Sequence, residues 1–164
     1  MCAYPIKKFY GTPKYNLSAR SAKPKNIVVH YTDGTGSAEN NVRYFRTGNR
    51  SASADFFIDS QDIWRFNPNV AKYYSWHIGD GRGKYGYTNA NSIGIEVVST
   101  GVPFTKAEQK RLRYLVKLLM RKYDIPASHV VRHYDASRKL CPAPYCGSKA
   151  KDAEWKKLHK YITK

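Results

Sequence analysis

The run Ser92-Ile93-Gly94-Ile95-Glu96-Val97-Val98 constrains the fold more than any other stretch of the chain. It is rich in β-branched apolar residues, the pattern of a strand lying centrally in a sheet and covered on both sides. Such a strand needs neighbours at its edges and helices above and below it. Asn26–Thr32 is a second β-branched run, closed by the turn pair Asp33-Gly34. Residues 54–59 and 62–66 read as two more strands joined by the tight Ser60-Gln61 link, and 129–132 as a short last one.

Helix signals alternate with these runs. Residues 37–46 read as a short helix opened by Ser37 and stopped at Gly48. The strongest helix opens on Thr105-Lys106-Ala107-Glu108, a capping box in which side chains satisfy the first free amides. Leu112, Leu115, Val116, Leu119 and Tyr123 form one stripe of it, with Lys110, Arg111, Arg113, Lys117 and Arg121 on the opposite face. Asp124 and Pro126 end it. Residues 151–162 read as a final basic helix. The order strand, helix, strand, strand, strand, helix, strand, helix predicts an α/β single domain with a central mixed β-sheet flanked by helices. At 164 residues the chain has room for one domain. Residues 26–164 are expected to form it, with residues 1–25, punctuated by Pro5, Gly11, Pro13 and Pro24, packed on it as a basic arm.

Charge narrows the partners. Lys plus Arg number 29 against 12 Asp plus Glu, a formal +17. Residues 1–25 hold six basic side chains and no acid, residues 26–103 hold seven of each, and residues 104–164 hold sixteen basic and five acidic. The excess points to a polyanion: nucleic acid, an anionic membrane surface or an acidic polymer. A neutral middle is not the layout of a protein that reads nucleic acid through its centre. No apolar run approaches the roughly 18 residues that span a bilayer, so membrane insertion is not expected. The N-terminus lacks the apolar core of a secretory signal, so synthesis in the cytoplasm is expected. Three cysteines do not make a complete disulfide framework.

Two segments rhyme. Val28-Val29-His30-Tyr31 and Val130-Val131-Arg132-His133-Tyr134 each run a valine pair into a histidine near a strand's C-terminal edge, where open α/β sheets gather functional groups. Cys141 follows eight residues after His133. Two imidazoles and a thiolate make a three-ligand zinc site with an open fourth position, the catalytic pattern. Taken singly, each histidine reads rather as a satisfied core residue and Cys141 as a small buried hydrophobe. His129 and His133 on one strand would stand about 13 Å apart, too far for one metal. His77 is a fourth ligand or, better, a pocket wall; His159 reads as a surface residue; Cys146 is a substitute ligand or a structural thiol; Cys2 carries no signal. Glu96 is the lone acid of its strand. Buried, it would cost several kcal/mol unless placed over a polar cavity, where one carboxylate of raised pKa can take a proton and pass it on; the alternative is a solvent-facing side chain. Lys139 would project beside the metal and face a developing oxyanion. Gly81-Arg82-Gly83-Lys84-Tyr85-Gly86 matches G-x-G-x-x-G in letters, but no strand precedes it and no helix follows, so a dinucleotide site is not expected.

His30 after its valine pair, Trp76-His77 before a glycine-rich loop, Asn91-Ser92-Ile93-Gly94-Ile95-Glu96, and Arg132-His133-Tyr134-Asp135 followed by Lys139-Leu140-Cys141-Pro142 together resemble the zinc-dependent type 2 N-acetylmuramoyl-L-alanine amidases. That family includes phage endolysins, T7 lysozyme and peptidoglycan recognition proteins. The resemblance runs from about residue 26 to residue 145. It implies one Zn2+ per chain on His30, His133 and Cys141, Glu96 as acid/base, Lys139 beside the metal, and Tyr31, Trp76, His77 and Asn91 as wall contacts. It implies cleavage of the amide between the lactyl group of N-acetylmuramic acid and L-alanine. Many relatives carry His, and some a neighbouring Tyr, where this chain has Asp55 and Ala54, which leaves more of the chemistry to Glu96. Under the resemblance the expected partners are peptidoglycan and acidic wall polymers, docked by the basic ends, rather than nucleic acid. A non-catalytic peptidoglycan binder, or a nucleic-acid or polymerase binder, is the alternative.

Overall fold

The computed structural model describes residues 3–12 and 15–164; Cys2 and Lys14 lie outside the described residues. Among the described residues eight strands are seen: β1 (Ile6–Lys8), β2 (Leu17–Ala19), β3 (Asn26–Tyr31), β4 (Phe56–Ile58), β5 (Ile63–Arg65), β6 (Tyr73–Ser75), β7 (Ser92–Val97) and β8 (Val130–Arg132). Four α-helices accompany them: α1 (Ala38–Arg46), α2 (Lys106–Tyr123), α3 (His133–Ser137) and α4 (Lys149–Thr163). Six strands make one sheet in the order β1-β5-β4-β7-β3-β8, and β2 pairs with β6 in a separate two-stranded ribbon. Only β4 and β5 pair antiparallel within the large sheet, so it is mixed, as the order of elements predicts.

β7 lies inside the sheet, between β4 and β3. Its alternation sorts side chains to two faces. Ile93, Ile95 and Val97 join Ile27, Val29 and Val130 in a core closed by Leu112, Leu115, Val116 and Leu119 of α2 and by Trp155, Leu158 and Ile162 of α4. Ser92, Gly94 and Glu96 are in register with Asn26, Val28 and His30 of β3 and point to the opposite face. There α1 packs Ala38 and Val42 near Phe57, and α3 packs Ala136 near Val28 and Val131. The larger apolar core therefore sits on one face of the sheet, and the polar positions of the central strands on the other.

Local signals fix the helix ends. Ser37 Oγ accepts from Asn40 N–H at 3.1 Å to open α1. In α2 the Thr105 N–H donates to Glu108 at 2.7 Å while Thr105 Oγ accepts from Glu108 N–H at 3.3 Å, and Asp124 in the left-handed conformation closes it.

Three short strands and α3 have no counterpart in the sequence reading. β1, β2 and β6 are three residues each, too short to show periodicity. Residues 6–8 enter the sheet beside β5, and residues 17–19 pair with β6. In α3, His133 opens a helical turn instead of following a strand into a loop. Arg132 makes that turn: its N–H and Nε–H donate to Asp135 at 2.9 and 3.0 Å, and its remaining nitrogens reach Asp135, the Tyr145 carbonyl and Asp152 of α4.

Candidate active site

The parallel pairing of β3 with β7 sets His30 directly opposite Glu96. β8, on the other side of β3, delivers His133 at its C-terminal end. Cys141 returns on the loop after α3, where its carbonyl accepts from Tyr134 N–H at 2.8 Å. Among the described residues, the ligand atoms of His30, His133 and Cys141 gather within 4.8 Å of one another, all three residues buried. The separation of His30 Nδ1 from Cys141 Sγ is 3.8 Å. A tetrahedral ion with bonds of 2.0–2.3 Å sets about 3.6 Å between such atoms, so this spacing fits one.

His133 has one nitrogen engaged and one left over. His133 Nε2 is 2.8 Å from Asp80 Oδ1, and Asp80 in turn accepts from Ser137 Oγ–H at 2.9 Å. His133 Nδ1 is buried with no hydrogen-bond partner, an orphan of the kind that calls for a ligand. A carboxylate behind an imidazole is the usual orienting partner of a metal-binding histidine. Asp80 sits in a 3-10 turn, Gly79–Gly81, that packs against α3. A Cβ on Gly81 would lie 2.5 Å from the Ala136 carbonyl, so only glycine allows the approach that brings Asp80 to His133. That packing accounts for a glycine of the apparent nucleotide motif. Asp80 has no signal in the sequence beyond that glycine pair.

Electrostatics suit a soft cation. Burial holds His30 well below the usual imidazole range, and the neighbouring His133, His77 and Lys139 push the same way. Burial also lowers His133, against the pull of Asp80. Burial raises the Cys141 thiol, with Glu96 adding to the rise, so the thiol must give up its proton to bind a metal. Burial pushes the Glu96 carboxyl up to about 8, with Lys139 opposing. Glu96 Oε1 stands 3.9 Å from His30 Nδ1, and Oε2 has no partner.

A cavity of about 260 Å³ opens over these groups, lined by His30, His133 and Cys141 and by Glu96, Lys139, Tyr31 and Trp76. The Trp76 indole is pinned by its N–H to Ser18 Oγ at 2.8 Å. His77 also borders the cavity, but both its ring nitrogens have partners inside the protein. Asn91 does not line it. Its side chain accepts from Thr88 N–H at 2.9 Å and from Asn26 at 3.1 Å, and donates to the Gly86 carbonyl at 2.9 Å, so it ties loop to strand. Asp55 likewise points inward: its carboxylate accepts from Gly94 N–H, Ser75 Oγ–H and the Asn67 amide at 2.6–2.7 Å.

The remaining candidates fall outside the cluster. His129, exposed, lies at the far end of β8 with Nδ1 3.0 Å from the Lys25 carbonyl. His159 is half-buried rather than on the surface, its ring against Trp155 and Nε2 2.9 Å from the Ala127 carbonyl. Cys146 is a buried free thiol donating to the Pro142 carbonyl at 3.3 Å.

Residues 20–144 match the family model described as N-acetylmuramoyl-L-alanine amidase. The chain is 30% identical over 142 residues to the N-acetylmuramoyl-L-alanine amidase CwlA of Bacillus subtilis (strain 168), covering 84% of this chain and 50% of that protein. It thus spans about half the length of such curated relatives. Among solved structures it resembles PlyL, with a TM-score of 0.82 and 27% identity over 98% of both chains. It also resembles a mutant endolysin from Bacillus subtilis, with a TM-score of 0.80 and 27% identity over 98% of this chain and 99% of that one. The family match takes in the strands that bring His30, Glu96 and His133 together, and it covers most of the chain. The protein belongs to the type 2 N-acetylmuramoyl-L-alanine amidase family.

Proposed function

We propose that the chain is the catalytic domain of an endolysin-type amidase that hydrolyses the amide between the lactyl group of N-acetylmuramic acid and L-alanine in bacterial peptidoglycan. The observation that carries this reading is the convergence of His30, His133 and Cys141 beneath one cavity, each offering a ligand atom within 4.8 Å of the others, with Glu96 beside them and His133 Nδ1 orphaned. Two neutral imidazoles and a thiolate suit Zn2+. Bound there, the ion supplies a Lewis acid at the scissile carbonyl.

The protein's own groups do the rest. Glu96, with its carboxyl near 8, accepts a proton from the attacking water and passes it to the departing L-alanine nitrogen. Lys139 places a positive charge at the cavity wall, where it faces negative charge developing on the carbonyl oxygen. Tyr31 and Trp76 give the cavity aromatic sides against which a sugar–peptide junction packs.

The basic excess belongs to the same function. The exposed lysines 106, 110, 149, 156 and 160 lie on α2 and α4, the helices covering the sheet face away from the cavity. Acidic wall polymers held there do not compete with substrate. In this reading the enzyme is made in the host cytoplasm and meets the wall after release.

Mass spectrometry of purified walls digested with and without a chelator tests the proposal. New L-alanine amino termini that disappear with the chelator are expected. Release of any other end group, or no release at all as from a peptidoglycan binder, overturns it.

A further inference from the structure

One nitrogen of His30 faces the cavity; the other leads away from it. His30 Nε2 is 2.9 Å from His77 Nδ1, His77 Nε2 is 3.1 Å from Ser92 Oγ, and the Ser92 hydroxyl donates to the Thr88 carbonyl. A carbonyl only accepts, so the far end sets the direction of the whole chain. Ser92 gives its proton to Thr88 and therefore accepts from His77 Nε2–H. Neutral His77 then has a bare Nδ1, which accepts from His30 Nε2–H. That leaves His30 Nδ1 bare, on the side of Cys141 and Glu96. His77 is buried and its ring nitrogens meet His30 and Ser92, with no carboxylate to hold a second proton on the ring.

The seat of His77 is built into β7. A Cβ on Gly94 would lie 2.6 Å from His77 Cγ, so the ring rests directly on the strand where a side chain is missing. Asn89 Oδ1 accepts from the N–H groups of His77 and Ile78 at 2.9 and 2.8 Å, holding the backbone above that seat. Gly94 itself is pinned by its N–H to Asp55 at 2.7 Å.

We infer, resting on the zinc reading of His30, His133 and Cys141, that His77 is a positioning residue rather than a wall contact: with Ser92 and the Thr88 carbonyl it locks His30 in the Nε2–H tautomer, so that Nδ1 is always the nitrogen offered to the metal. The two ligand histidines are thus oriented by unlike devices, His133 by a carboxylate and His30 by a neutral relay.

The test uses the full chain with 15N-labelled histidine, metal-free, in long-range proton–nitrogen correlation spectra, together with Zn2+ affinity measured by competition with a chelator. Wild type is expected to show His30 protonated at Nε2. His77→Ala is expected to mix the tautomers and to weaken Zn2+ binding by about 10- to 100-fold. His77→Asn keeps an acceptor near the Nδ1 position and is expected to restore affinity to within about threefold. Ser92→Ala frees His77 to carry its proton on Nδ1 and is expected to turn His30 toward the wrong tautomer; it and His77→Asn decide the matter if His77→Ala does not fold. Wild-type His30 protonated at Nδ1 overturns the inference. So does a folded His77→Ala with unchanged tautomer and Zn2+ affinity, and lost lysis with unchanged affinity would make His77 a substrate contact. A wild-type chain that takes up no Zn2+ defeats the zinc reading itself, and the inference with it.

Discussion

His30 and Glu96 are cross-strand partners on adjacent parallel strands, and the carboxylate reaches to 3.9 Å from the histidine's Nδ1. Register alone, with no loop involved, places the carboxylate proposed to carry protons beside a histidine proposed to hold the metal. Glu96→Gln keeps the shape and removes the carboxylate. We expect it to retain one Zn2+ per chain by elemental analysis while turnover on purified walls falls about 10²- to 10⁴-fold. Near-full turnover would remove Glu96 from the chemistry.

Of the three proposed ligands, Cys141 is the one held on a loop rather than on a strand or helix end. Cys141→Ser replaces a soft donor with a hard one, and Zn2+ retention should fall sharply. Because an ion that binds only the folded chain adds stability, a chelator should lower the melting temperature of wild type and leave that of Cys141→Ser unmoved. Calorimetry on the two proteins checks both halves.

Arg132 ties α3, α4 and the stretch around Tyr145 to the end of β8 through Asp135, Asp152 and a carbonyl. Removing a charged partner from a fully buried cluster costs about 3–5 kcal/mol. The Asp135 and Asp152 side chains keep 26% and 45% of their exposure, so Arg132→Met should cost less, about 2–3 kcal/mol. Denaturant unfolding measures this. A loss below about 0.5 kcal/mol would show that the aspartates are solvated well enough to stand alone.

Docking through basic side chains on α2 and α4 is screened by salt. The Debye length shrinks from about 10 Å at 0.1 M to about 3 Å at 1 M. Lysis of whole walls should fall severalfold as ionic strength rises over that range, while cleavage of a small soluble muropeptide changes little. Equal salt responses on the two substrates would leave the basic helices without a docking role.

The chemical groups of the site were legible in the sequence where they coincide with strands. His30, Glu96 and His133 stand on or at the end of apolar runs, and their types are unusual enough there to be noticed. The capped ends of α1 and α2 were legible for the same local reason. Asp80 was not, because its role depends on a 3-10 turn packing against α3, a contact between distant segments. Asn91 stands in the motif yet spends its side chain on Thr88, Asn26 and Gly86, and composition does not distinguish a loop tie from a substrate contact. His77 drew notice as a pocket wall, but its partnership with Ser92 needs the register of β7. Ser92, Gly94 and Glu96 alternate with Ile93, Ile95 and Val97; that alternation was the available signal for a polar face.

The same alternation makes β7 a proofreading device. A slip of one residue against β3 would carry Ile93, Ile95 and Val97 onto the polar face of the sheet and turn Glu96 into the apolar layer beneath α2 and α4. The error would undo the face that carries Glu96 and His30 and the core at once. Partial misassembly therefore yields no stable half-formed site: a molecule stable enough to persist is also one whose polar face has been set correctly.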